Sequence, residues 1–230
     1  MTTRSAVRIQ KLIAAMNYKT YMEIGVASGS TWKNVVADKK IAIEPRFSFD
    51  WVTHTLPGEF LYQMRSDEYF RILPQKTEVD IAFIDGLHTF EQVLRDILNV
   101  MSVLSPKGVI LLDDTVPIDE FSAMTDQSTA IASRKAAMGS NAHISWHGDV
   151  YKSLFFINDF MLRWDFATIL DDGNPQTLLW RSNGEIKRNS VCDSLEHIKA
   201  MSFEQWRKCR HLLPESSENE AFQMFFDAQK

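Results

Sequence analysis

The sequence predicts an α/β fold built on a mostly parallel sheet with helices on both faces. Three observations carry this reading. Short apolar runs ending in Gly, Pro or Asp alternate with amphipathic, helix-length segments. The runs at 81–84 and 109–112 are continuously apolar, as strands covered on both faces must be. The 230 residues are 45% apolar and 24% charged, enough to bury a real core in one domain with room for an appendage.

Residues 5–17 place Val7, Ile9, Leu12, Ile13 and Met16 at helical spacing. Tyr21 to Gly25 reads as a first strand stopped by glycine, and Thr31 to Ala37 as the start of a helix. Ile41 to Glu44 is a second strand closed by Pro45; Phe60 to Met64 is a third and Val79 to Ile84 a fourth. Phe90 to Leu104 is an amphipathic helix, with Phe90, Val93, Leu94, Ile97, Leu98 and Met101 on one stripe. Ser105-Pro106-Lys107-Gly108 is expected to break it before a fifth strand, Val109 to Leu112.

Beyond Asp114 the chain changes character. Pro117 to Asn141 is rich in Ser, Ala, Thr and Asp and reads as a helix or a segment above the sheet edge. Leu154 to Ile157 and Leu178 to Trp180 read as two strands, made an antiparallel pair by the turn residues Asp171-Asp172-Gly173-Asn174-Pro175. Residues 193–213 read as an outer helix, and the tail ending in Phe222, Met224, Phe225 and Phe226 as a docked one. The expected organisation is one domain over 1–190, with 117–150 as a lid or insertion, and a C-terminal helical extension over 191–230 packed on it.

Composition excludes several classes. The 25 Lys and Arg against 30 Asp and Glu leave a net charge of −5, the wrong sign for wrapping nucleic acid. No apolar run approaches the ~20 residues of a membrane span. The stretch holding Arg4 and Arg8 lacks the apolar core of a secretory signal, and two cysteines, Cys192 and Cys209, make no disulfide framework, so a reducing cytoplasm is expected.

Glu23-Ile24-Gly25-Val26-Ala27-Ser28-Gly29 sits where the first strand becomes the expected helix. Ligands of open parallel sheets bind at that carboxyl end. Gly25 permits a sharp turn, Gly29 permits close approach, and the amides that follow, over Ser30 and Thr31, face an anion such as a ligand carboxylate. Glu23 offers an acceptor for an ammonium group. Glu44, 19 residues beyond Gly25, offers a carboxylate for a ribose diol. A dinucleotide fingerprint fails at Ala27 and Ser30, and a P-loop fails because Ser30, not Lys, follows Gly29. Acidic-x-Gly-x-x-x-Gly plus an acid ending the next strand resembles the class I S-adenosylmethionine-dependent methyltransferases.

Two further strand ends sharpen this. Phe83-Ile84-Asp85-Gly86-Leu87-His88-Thr89-Phe90 closes the fourth strand, and Leu111-Leu112-Asp113-Asp114-Thr115 closes the fifth. Oxygens from Asp85, Asp114 and Thr115 suit a hard cation such as Mg²⁺. Asp-Gly-x-His-x-Phe, a helix, Pro-Lys-Gly and Leu-Leu-Asp-Asp together resemble the metal-dependent O-methyltransferases, in the group of macrolide-sugar O-methyltransferases and cephalosporin-hydroxylase-like proteins. The resemblance covers about residues 20–160. It implies a Rossmann-like, seven-stranded, mostly parallel sheet with an antiparallel edge strand, S-adenosylmethionine as cofactor, and Mg²⁺ or another divalent cation on Asp85 and Asp114. It also implies His88 as the base and Ser66-Asp67 at the adenine; Asp85 is counted with the cofactor residues as well. Catechol enzymes carry Asn where Thr115 stands. Asp113 reads as a turn cap. Trp146-His147-Gly148-Asp149-Val150-Tyr151-Lys152 is similar to a recurring segment of the group.

The expected function is methyl transfer to a hydroxyl of a small molecule, a sugar or glycoside, with no nucleic-acid or membrane partner and with homo-oligomerisation left open. The alternatives are an S-adenosylmethionine-binding hydroxylase-like or regulatory relative without transfer, which keeps Glu23, Gly25 and Glu44 but does not need His88, and an interaction module docking a partner on 117–150. His143 and His147 have metal-like i, i+4 spacing, but with no third partner in sight they read as the rim of an acceptor pocket rather than as zinc ligands.

Overall fold

The computed structural model describes residues 2–53, 55–73, 77–171, 174–184 and 186–230. Cα proximity divides them into two compact units. The first comprises Met1–Leu87, Leu94–Asp113 and Leu178–Arg181; the second comprises His88–Val93, Asp114–Thr177 and Ser182–Lys230.

The first unit is a parallel sheet. Helix α1 (Arg4–Met16) starts under a Thr3 cap and ends at Asn17, which turns left-handed at φ 54°. Strands β1 (Thr20–Ile24), β2 (Lys39–Ile43), β3 (Glu59–Tyr62), β4 (Val79–Ile84) and β5 (Leu104–Leu112) follow, with the short helix α2 (Ser66–Arg71) after β3. Their order is β3-β2-β1-β4-β5, and β5 is also bordered by β7 (Gln176–Arg181), of which Leu178–Arg181 belong to this unit. Ile81, Ala82, Phe83 and the Val109–Leu112 run are buried almost completely, as two-sided burial of central strands requires.

Helix α3 (Phe90–Val103) passes from the second unit into the first. Its buried stripe is Phe90, Val93, Ile97 and Val100, whereas Leu98 is exposed. No loop separates α3 from β5. Ser105-Pro106-Lys107-Gly108 is already strand, and the Lys107 carbonyl accepts the Tyr18 hydroxyl. Proline ends the helical pattern here, yet it is tolerated near the start of a strand.

Two expectations fail on local physics. Thr31 to Ala37 forms a single 3₁₀ turn, Trp32–Asn34, instead of a helix. Trp, Asn and two β-branched valines are poor helix formers, and so short a stretch cannot offset the cost of nucleation. Leu154 to Ile157 is not a strand but the middle of helix α5 (Lys152–Phe160), buried through Leu154, Phe155 and Ile157.

The second unit contains α4 (Gln127–Met138), α5, β6 (Trp164–Ile169), Gln176 and Thr177 of β7, α6 (Leu195–Ala200), α7 (Phe203–Cys209), β8 (Glu215–Ser216) and α8 (Glu218–Ala228). The strand facing β7 here is β6: Ser182 N–H donates to the Arg163 carbonyl while the Thr168 and Thr177 hydroxyls meet at 2.9 Å, so the two run antiparallel. Of the expected turn between strands, Asp172 and Gly173 lie outside the described residues. The described residues form eight strands rather than seven, the additional one being the two-residue β8, parallel to β6. Residues 193–213 break into α6, α7 and a 3₁₀ turn because Ser194 and Ser202 each cap a fresh helix start. Helix α8 opens with a capping box of Ser217 and Glu220.

Candidate functional site

The five parallel strands of the first unit end in register. Ile24 pairs with Ile43 and Ile84, Ile43 with Tyr62, and Ile84 with Leu112. The residues that follow, Gly25, Glu44, Asp85 and Asp113, therefore leave the sheet side by side at its carboxyl edge. Asp85 N–H donates to the Ile24 carbonyl at 2.8 Å, and Asp113 N–H to the Ile84 carbonyl at 3.1 Å.

The loop after β1 is tight. Gly25 has φ +90°, and a Cβ there would lie 1.9 Å from the Asp85 carbonyl oxygen, so only glycine fits. Ala27 and Gly29 are also left-handed. Glu44 braces this loop: its Oε2 accepts Ala27 N–H at 2.9 Å and its Oε1 accepts Arg46 N–H at 2.8 Å. Each carboxylate oxygen has a second lone pair, so Glu44 keeps acceptor capacity for a diol. The hydroxyls of Ser28 and Ser30 meet at 2.7 Å, Lys33 Nζ donates to the Ser28 carbonyl, and Thr31 is buried beside Thr3. Since a 3₁₀ turn follows, no helix macrodipole reinforces these amides. Ser66 and Asp67 open α2 directly after β3, and Asp67 lies 3.5 Å from Arg95.

Glu23 is buried and accepts the Tyr21 hydroxyl at 2.5 Å. Burial, with the nearby charges of Asp85 and Glu44 adding to it, pushes its carboxyl up to about 8, against the opposing Tyr21 bond and Lys40 charge. A neutral Glu23 at physiological pH is a hydrogen-bonding group more than an anion.

In the second unit, His88, Asp114 and His147 converge. His88 Nδ1 lies 3.0 Å from Asp114 Oδ2 and 3.2 Å from the Trp146 carbonyl. His147 Nε2 lies 3.5 Å from the other oxygen, Asp114 Oδ1. Asp114 is left-handed at φ 57°, a conformation that a non-glycine residue holds at a cost of about 1–3 kcal/mol and that breaks strand alternation. Strain of this kind clusters at functional sites. Desolvation, then the charge of His88, holds the His147 ring down to about 4. Thr115 takes no part: it is fully buried, and its hydroxyl accepts from Thr177 at 2.9 Å.

The Trp146–Asp149 stretch is locked onto the start of α3. The Trp146 ring stacks on His88 at 5.0 Å, and Asp149 Oδ1 accepts Phe90 N–H at 2.7 Å. Gly148 has φ +62°, with the His88 carbonyl oxygen 1.6 Å from where a Cβ would stand. The 117–145 region is held by a buried Arg134, which forks onto Asp119 and reaches the His143 and Ser145 carbonyls. His143 Nε2 faces Asp119 at 3.8 Å, so the two histidines of the i, i+4 pair serve different carboxylates. The sequence reading placed His147 on a rim and missed its pairing with Asp114. The signal available was the Trp146–Lys152 motif itself.

A cavity of about 470 Å³ lies elsewhere in the first unit, against the starts of β2 and β3, lined by Trp32, Val35, Lys40, Leu56, Glu59 and Leu61. Its charges satisfy each other: Lys40 Nζ donates to Glu59 at 2.9 Å and to the Trp32 carbonyl at 2.7 Å. It is a packing gap beside the 3₁₀ turn, away from the strand ends that carry the acids.

Residues 22–115 match a family model described as a methyltransferase domain. Among curated proteins none matches the chain significantly. Solved structures share the fold. The O-methyltransferase TomG from Streptomyces achromogenes, involved in tomaymycin synthesis and in complex with S-adenosylmethionine, is 14% identical, with 77% of this chain and 79% of that one covered at a TM-score of 0.53. An O-methyltransferase from Bacillus cereus in complex with S-adenosylhomocysteine is 11% identical over 78% and 80%, at 0.52. A methyltransferase from Podospora anserina bound to S-adenosylhomocysteine is 13% identical over 80% of each chain, also at 0.52.

Proposed function

We propose that this chain, whose residues 22–115 match a methyltransferase domain model, is a class I S-adenosylmethionine-dependent methyltransferase that methylates a hydroxyl oxygen of a small molecule, a sugar or glycoside, with His88 as the base. The observation that carries this reading is the 3.0 Å pair of His88 Nδ1 and Asp114 Oδ2. A carboxylate only accepts, so Nδ1 carries the proton and Nε2 is the basic nitrogen of the ring.

S-adenosylmethionine supplies the methyl group on a sulfonium centre. The chain's part is binding, alignment and proton removal. The Gly25–Thr31 loop and Glu44 support the cofactor reading, because Gly25 lets the chain turn sharply against the Asp85 backbone at the carboxyl edge of the sheet and Glu44 retains lone pairs beyond its two backbone bonds. His88 Nε2 would take the hydroxyl proton of the acceptor as its oxygen is methylated. Such positioned bases contribute about 10²–10⁴-fold. Alignment near ~3 Å contributes more.

The resemblance to the metal-dependent O-methyltransferases implies a divalent cation, with Asp85 and Asp114 as the residues that would hold it. When bound, the ion lowers the pKa of the acceptor hydroxyl. Among the described residues no helix is long and apolar enough to cross a membrane. Both cysteines are free, which suits the cytoplasm.

Thermal denaturation with S-adenosylhomocysteine, with and without Mg²⁺, tests the reading. At 100 times Kd the ligand adds about 2.7 kcal/mol of stability. A melting temperature indifferent to the ligand overturns it. Labelled methyl transfer to a panel of glycosides then tests the acceptor class.

A further inference from the structure

We infer that His147 is a positioning residue for the base: its Nε2–H holds the Asp114 oxygen that His88 does not use, and so fixes the plane of the carboxylate that orients His88. Three observations support this. Asp114 sits between two imidazoles, Oδ2 at 3.0 Å from His88 Nδ1 and Oδ1 at 3.5 Å from His147 Nε2. The carboxylate accepts only, so a proton on His147 Nε2 is what makes this 3.5 Å approach favourable. The opposite ring nitrogen, His147 Nδ1, is buried without a hydrogen-bond partner. A proton there would be an orphaned donor, which costs about 1–3 kcal/mol. The neutral Nε2–H tautomer is the form that buries no unpaired donor at Nδ1.

The ring is also held rigidly enough to serve. His147 N–H donates to the Ser122 carbonyl at 2.9 Å, and the preceding Trp146 is pinned by its indole N–H on the Met124 carbonyl at 2.6 Å. Gly148 behind it lets the chain press against the His88 carbonyl. Asp114 needs such support, because its left-handed backbone takes it out of the strand ladder. A contact on Oδ1 beside the one on Oδ2 bears on both oxygens and so on the plane of the carboxylate. Catalytic geometry tolerates only about 0.5 Å of looseness.

The inference rests on His88 as the base, and its test is independent of cofactor binding. In ¹⁵N-histidine NMR at neutral pH, His147 is expected in the Nε2–H form and His88 with a protected, downfield Nδ1–H. His147→Leu, confirmed folded by circular dichroism, is expected to lose that His88 signal to exchange. His147→Gln, whose amide can still donate, is expected to restore it. A His147 protonated on Nδ1, or a His88 signal unchanged in folded His147→Leu, overturns the inference. Should His147→Leu not fold, the wild-type tautomer decides alone. Binding of S-adenosylhomocysteine is expected unchanged in His147→Gln, so a failed cofactor reading and a failed His147 role give different results.

Discussion

His88 and Asp114 form a hydrogen-bonded pair, Nδ1 to Oδ2 at 3.0 Å, in which a strained aspartate points an imidazole. The same His88 nitrogen lies 3.2 Å from the Trp146 carbonyl, and the ring stacks on the Trp146 indole. His88 thus has a structural anchor as well as a chemical partner, and experiments must separate the two.

His88→Ala is expected to lower kcat by about 10²–10⁴ and to leave S-adenosylhomocysteine affinity nearly intact, since the lost group handles a proton and not the nucleotide. The remaining rate should climb at high pH, as the acceptor loses its proton unaided. A pH–rate profile with the folded fraction measured alongside checks this. A lower melting temperature with unchanged turnover per folded molecule assigns His88 to bracing alone.

Glu44→Ala is expected to weaken S-adenosylhomocysteine binding by about 1–3 kcal/mol, the loss of charge-assisted hydrogen bonds. Because Glu44 also holds Ala27 and Arg46, Glu44→Gln serves as a control that keeps an acceptor for the loop. Calorimetry returning wild-type affinity for both variants removes the ribose role.

Exhaustive chelation is expected to abolish transfer, and Mg²⁺ or Mn²⁺ to restore it. Asp85→Asn should then need more metal for half-maximal rate. Full activity in the chelated protein removes the metal and leaves the His88 base in place.

Glu23 sets a pH dependence of stability. Its carboxyl is raised in the fold from 4.5 to about 8, so folding favours the neutral form. The contribution is fully present below about pH 4.5 and is lost as pH rises through 8. At ~1.4 kcal/mol per pKa unit the loss is a few kcal/mol. Urea denaturation from pH 5 to 9 should show wild type losing stability relative to Glu23→Gln. Parallel curves for the two proteins would refute the assignment.

Local sequence by itself determined the framework. The continuous apolar runs 81–84 and 109–112 made β4 and β5 legible, because central strands of a parallel sheet are buried on both faces. It also placed Gly25, Glu44, Asp85, His88 and Asp114 at strand ends, since a parallel sheet brings successive carboxyl ends to one edge. Tertiary structure decided what periodicity could not. Leu154–Ile157 is apolar enough for a strand or a buried helix, and the packing of α5 against α6 and β6 chose the helix. Thr115 follows Asp114 directly, yet the left-handed turn at Asp114 and the hydroxyl chain through Thr177 and Thr168 carry it into the core. His147 reaches Asp114 because Gly148 and Asp149 clamp onto His88 and Phe90, nearly 60 residues earlier in the chain. Such a pairing depends on where two distant segments meet, and no spacing within either segment records it.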